Sequence, residues 1–86
     1  MYQIGTIIRY KIRENLISST YIICEIDIKN EYYLLKPIVD LGHIIRVEEI
    51  INKAPFNYLY DSIKSGSMTI DDNLKLKYLL QKNLNI

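Results

Sequence analysis

Three cations fall on alternate positions at Arg9, Lys11 and Arg13, with Tyr10 and Ile12 between them. Cations around an exposed aromatic ring can stack a base, grip a phosphate or meet an acidic protein surface, since every base has a π-face and Arg or Lys supplies the charge. The same spacing is also the wet face of an ordinary strand, where long cationic stems lie over their neighbours and discourage edge association. Exposed ion pairs contribute only ~0–1 kcal/mol, so a charged strand face by itself demands no function.

Other candidates for chemistry are thinner. His43, next to Gly42 and near Asp40, has the chemistry of a base or a metal ligand. It is the chain's one histidine and has no nucleophile close in sequence, so a structural or solvent-exposed role is expected. Cys24 is the one cysteine, which excludes an internal disulfide, and nothing stands at metal-ligand spacing from it. Between Ile22 and Ile26 it reads as a small core hydrophobe. Glu48–Glu49 and Asp71–Asp72 are adjacent pairs whose side chains do not converge, and helix capping accounts for the second. Ser62 to Ser67 (SIKSGS) lacks the spacing of a phosphate loop. No catalytic set, metal site or cofactor motif emerges, and a non-enzymatic protein is expected.

The elements that must position these residues are bounded by size and composition. Eighty-six residues leave room for one core, so residues 1–86 are read as a single domain. Hydrophobic residues make up 49% and charged residues 24%, which is globular composition. A net charge of +1 gives little whole-molecule attraction to nucleic acid or an acidic membrane, so any such affinity must be local. The longest apolar runs fall far short of the ~20 residues that span a bilayer, and the first residues lack the layout of a signal peptide. A cytoplasmic protein is expected.

Period-two alternation dominates residues 1–54 and a period near four dominates 55–86, which predicts an α+β fold, mainly β and then mainly α. Gly5 to Arg13 reads as a first strand, with Ile8, Tyr10 and Ile12 on one face and the cations on the other. Glu14 to Thr20 is a polar loop. Tyr21 to Ile28 is a second strand, with Ile22, Cys24, Ile26 and Ile28 facing the core. Lys29–Asn30 can close a hairpin into a third strand, Glu31 to Ile38, in which Tyr33 and Leu35 face inward and Pro37 marks a sheet edge. His43 to Val47 is a short fourth strand, and Glu48 to Ile51 fits either strand or helical turn. Pro55 opens a helix striped by Phe56, Leu59, Tyr60 and Ile63, and Gly66 ends it. Asp71 or Asp72 caps a second helix whose core stripe is Leu76, Leu79, Leu80 and Leu84.

The simplest antiparallel register sets Arg13 opposite Tyr21, Arg9 opposite Glu25 and Lys11 opposite Ile23, and in the next hairpin Ile23 opposite Lys36 and Asp27 opposite Tyr32. Arg9 is then charge-balanced, while Lys11, Arg13 and Lys36 surround Tyr21 and Ile23 without a carboxylate. Ile7, Ile23, Tyr32 and Leu34 make this face more apolar than a fully wet one. The stretch from Gly5 to Ile38 (GTIIRYKIRENLISSTYIICEIDIKNEYYLLKPI) resembles the opening strands of a small SH3-like or Tudor-like barrel in its strand lengths. It lacks the glycine signatures of the ribosomal and transcription-factor members, so no functional residue is carried over.

The expected architecture is a small antiparallel sheet or partly closed SH3-like barrel of three to five strands, followed by two short helices that leave one sheet face open. The expected function is a non-enzymatic binding module, an inhibitor or adaptor suited to a mobile element. It would present Arg9, Lys11, Arg13, Tyr21, Ile23 and Lys36 to another protein. One alternative is nucleic-acid binding through the same basic and aromatic patch, which demands steep salt dependence. The other is a structural homodimer joined through the apolar sheet face or an exposed edge strand. No cofactor, metal or membrane partner is expected.

Overall fold

The computed structural model describes residues 1–10 and 19–84. Strand β1 (Ile7–Tyr10) alternates as its sequence predicts, with Ile8 and Tyr10 toward one side and Ile7 toward the other. Both sides are sealed, with Ile7 0% and Ile8 1% exposed. A strand buried on two faces must be the middle layer of a sandwich rather than the wall of an open ribbon. The expected continuation of this strand through Arg13, and most of the expected loop after it, lie outside the described residues.

The remaining elements are β2 (Ser19–Asp27), β3 (Tyr32–Asp40), β4 (Ile45–Val47), β5 (Asn52–Pro55), α1 (Phe56–Ser65), β6 (Met68–Ile70) and α2 (Asp72–Leu84). Among the described residues six antiparallel strands form one open sheet in the order β4-β3-β2-β1-β6, with β5 also on β3. The fold is α+β, and the sheet does not close into a barrel. Six strands exceed the expected three to five by one; the two not expected from the sequence are the short β5 and β6. Glu48 to Ile51 belongs to neither strand nor helix.

Pro37 explains how β3 holds two partners on one edge. β5 pairs with Tyr32 to Leu35 and β4 with Ile38 to Asp40, leaving a gap between them. The Pro37 carbonyl accepts the Glu48 N–H at 2.9 Å on this side. Because the nitrogen and carbonyl of one strand residue point the same way, proline's missing donor falls in the gap, where no ladder bond is lost.

Two apolar clusters lie on opposite sides of the sheet. Ile8, Ile23, Tyr33, Leu35, Ala54 and Met68 pack under Leu59 of α1, with Phe56 and Ile63 alongside. Ile7, Ile22, Ile38 and Ile45 pack under Leu74 of α2, with Val47 and Tyr78 alongside. The helices therefore cover both faces, and the expectation that they leave one face open is corrected. Each buried Ile or Leu contributes about 1.5–3 kcal/mol relative to exposure. A three-layer arrangement is how so short a chain buries enough of them.

The register and a bulge account for the exchange of faces. Tyr21 lies opposite Ile8, not Arg13, and Arg9 opposite Thr20, not Glu25, so Tyr21 and Ile23 turn toward α1. In β2–β3 the pairing shifts between Ile23 and Glu25. Cys24 is the extra residue, its thiol bonded to the Leu34 carbonyl at 3.1 Å. The slip sets Ile23 opposite Leu35 rather than Lys36, and it puts Ile23 and Ile26 on one face. Strict alternation, which predicts Ile22, Cys24 and Ile26 together, fails here for that reason, and Ile28 is exposed in the turn. Asp27 does face Tyr32 as predicted. In the turn that follows, the positive φ falls on Glu31 (60°) rather than Asn30, whose amide groups instead bond the Asp27 carboxylate.

Candidate functional site

Of the residues expected to form a basic and aromatic patch, the four that are described, Arg9, Tyr21, Ile23 and Lys36, divide between the two sides of the sheet. Ile23, expected on the open face, is fully buried in the α1-side core. Tyr21 is half-buried against the same cluster. Arg9 and Lys36 lie on the α2 side, and each meets a carboxylate: Arg9 meets Asp71 at 2.6 Å and Lys36 meets Glu49 at 3.1 Å. The hydrogen bond to Glu49 raises the Lys36 pKa above its ordinary value. Lys11 and Arg13 lie outside the described residues. His43 is exposed in the turn between β3 and β4, and among the described residues no group of three His, Cys, Asp or Glu side chains could hold a metal.

A different surface stands out, and the start of α2 creates it. The Asp71 carboxylate accepts the Leu74 N–H at 2.9 Å, the bond an N-cap makes to the first helical turn. The Asp71 N–H donates to the Ile7 carbonyl of β1, and its other carboxylate oxygen takes the Arg9 guanidinium. The Leu74 N–H, together with the adjacent Arg9 charge, holds the Asp71 pKa below the usual carboxylate range against the opposing effect of burial. One residue thus fixes both where α2 begins and how it is rotated over the sheet.

Further along, the Gln81 amide fastens the helix to β4. It accepts the Ile45 N–H at 2.6 Å and donates to the Ile45 carbonyl at 2.9 Å. That pair of bonds occupies backbone groups on the outer edge of β4 that would otherwise template another strand. Lys77 adds a bond to Asp40 at 2.9 Å, and this bond, with the Gly42 N–H, lowers the Asp40 pKa.

With Leu74, Tyr78 and Gln81 turned inward, the helical period of 3.6 residues turns Leu76, Leu79 and Leu80 outward. They are 58%, 46% and 54% exposed, the reverse of the core stripe their spacing predicts. Leu84 of the same stripe lies outside the described side chains. The exposed leucines border two grooves along α2. One, of about 480 Å³, lies between Leu76, Leu80 and the turn residues His43 and Ile44, with Asn73, Lys77 and Gln81 completing it. The other, of about 510 Å³, runs past Leu79 and Tyr78 toward Ile4 and Val47. Ile44 and Leu41 are also exposed, which extends the apolar surface onto the turn.

This surface offers shape and apolar area rather than reactive groups. Helix α2 carries apolar side chains on its outer side as well as on the side packed against the sheet, and only the latter has an interior to enter. The sequence carries the signal: α2 has leucines at 74, 76, 79, 80 and 84, too many for one face. Choosing which of them meet the sheet required knowing that Asp71 is held by Arg9, a contact 62 residues away in the chain. The first helix is less divided, since Phe56, Leu59 and Ile63 pack inward as predicted and Tyr60 is exposed. No helix among the described residues is long and apolar enough to cross a membrane. Neither the sequence nor the fold matches a family model, a curated protein or a solved structure.

Proposed function

We propose that this chain is a non-enzymatic protein-binding module that docks a partner protein on the outer face of α2 and the turn before β4. The observation that carries this reading is the half-exposed row Leu76, Leu79 and Leu80, continued by Ile44. Covering three half-exposed leucines is worth roughly 1 kcal/mol each, which makes them a suitable apolar centre for a binding site. The polar rim comes from Asn73, Lys77, Gln81 and His43. A small protein of this kind acts by occupying a partner's surface, which is the role of an inhibitor or adaptor.

The test is affinity capture from a lysate of the source organism, comparing the wild type with the double variant Leu76→Ser and Leu80→Ser at two salt concentrations. Both leucines are exposed, so the variant should keep its fold, with stability within about 0.5 kcal/mol of the wild type. A protein retained by the wild type at both salts and lost by the variant supports the reading. Retention of nucleic acid that weakens steeply with salt and ignores the leucine changes would replace it with the basic-patch alternative.

A further inference from the structure

Resting on the docking reading, we infer that the segment seated on α2 is an amphipathic helix whose apolar stripe is bordered by carboxylates. The charges around the leucines select it. The described part of α2 carries Lys75, Lys77 and Lys82 against one acid, Asp72, in the first turn. Lys77 is engaged by Asp40. Lys82 lies over the Tyr78 ring, with its ammonium 5.3 Å from the centroid, and among the described residues no carboxylate comes within ion-pair distance of Lys75 or Lys82.

On a helical wheel Lys75 and Lys82 fall together on the Leu79 side of the stripe, seven residues being close to two turns. A partner lying over Leu76, Leu79 and Leu80 therefore meets a cationic margin along one side. A second copy of this chain is a poor occupant, because it brings three lysines for each aspartate against a surface with the same excess. Like charges facing each other across an interface weaken association, whereas carboxylates on the incoming flank meet two available ammonium groups. The row at i, i+3 and i+4 and the grooves on either side suit the ridge of another helix.

The probe is a synthetic fluorescein-labelled peptide of about 18 residues, long enough to fold as a helix on binding, with a leucine stripe flanked by glutamates. A second peptide replaces the glutamates with lysines. Fluorescence anisotropy at low and high salt reads both against the full chain. The glutamate peptide should bind about ten-fold more tightly at low salt, the preference expected from two exposed charge pairs switched from repulsive to attractive, and high salt should shrink the gap. Lys75→Glu with Lys82→Glu should reverse the preference, and Leu76→Ser with Leu80→Ser should abolish binding of both peptides.

Equal binding of the two peptides, or preference for the lysine peptide, overturns the acidic chemistry and leaves the docking face standing. Binding of neither peptide, with circular dichroism showing a folded chain, overturns the inference, and sedimentation then separates the causes. A dimer names a second copy as the occupant. A monomer that binds neither removes the docking reading as well.

Discussion

Asp71→Ala should destabilise the protein far more than the truncation of a partly exposed carboxylate ordinarily does. The change removes the N-cap bond to Leu74, worth ~1 kcal/mol, and the Arg9 pair. With the Arg9 side chain 40% exposed and Asp71 19%, solvent screening limits the pair to about 0.5–1 kcal/mol. The two together give about 1.5–2 kcal/mol, which for a domain of this size lowers Tm by about 10 °C. Asp71→Asn keeps an oxygen to accept the Leu74 N–H while losing the charge, so its loss should be about 4 °C.

The effect depends on pH with a definite sign. The Asp71 carboxyl has a depressed pKa in the folded protein, so its stabilisation is fully present above the unfolded value of about 3.9 and fades as pH falls through the folded one. Thermal melts followed by circular dichroism from pH 7 to pH 3 should show the gap between wild type and Asp71→Ala constant down to about pH 5 and narrowing below about pH 4. A gap under about 2 °C at pH 7, or one that does not narrow in acid, would refute the placement of Asp71 as the residue that locks α2 onto β1.

Two further outcomes follow from the packing. Ile23→Ala should cost about 2–5 kcal/mol in urea denaturation, because Ile23 lies at the centre of the α1-side core, whereas a solvent-facing Ile23 would give a change within about 0.5 kcal/mol. Gln81→Ala should cost about 1 kcal/mol and speed hydrogen exchange at the Ile45 amide, and an unchanged Ile45 rate would mean that Gln81 does not close the edge of β4.

What sequence reasoning recovers here, and where it stops, follows from which interactions are local. The alternation of Ile8 with Arg9, the inward Tyr33 and Leu35, the helix after Pro55 and its end at Gly66 all depend on neighbours in the chain. Gly66 has φ +88°, the left-handed geometry expected of a residue past a helix end. The faces of β2 depend on a bulge at Cys24 and on a pairing offset between β1 and β2, neither of which alternation can report. Adjacent isoleucines at 7 and 8 on β1 and at 22 and 23 on β2 fit one covered face or two, and only the positions of both helices decide. Which apolar side chains stay outside depends on the same long-range pairings. With Ile23 in the core, and Arg9 and Lys36 on Asp71 and Glu49, Leu76, Leu79 and Leu80 on the outer face of α2 are among the apolar side chains left exposed.

The most direct test is the solvent accessibility of methyl groups in the free protein, read by NMR as signal loss on adding a soluble gadolinium chelate to Ile- and Leu-labelled samples. The methyls of Leu76, Leu79 and Leu80 should broaden strongly, while those of Leu59 and Leu74, and of Ile22 and Ile23 on opposite faces of β2, stay sharp. Leu76 and Leu80 as protected as Leu74, or Ile23 as accessible as Leu76, would contradict a sheet covered on both sides with its leucine row left outside.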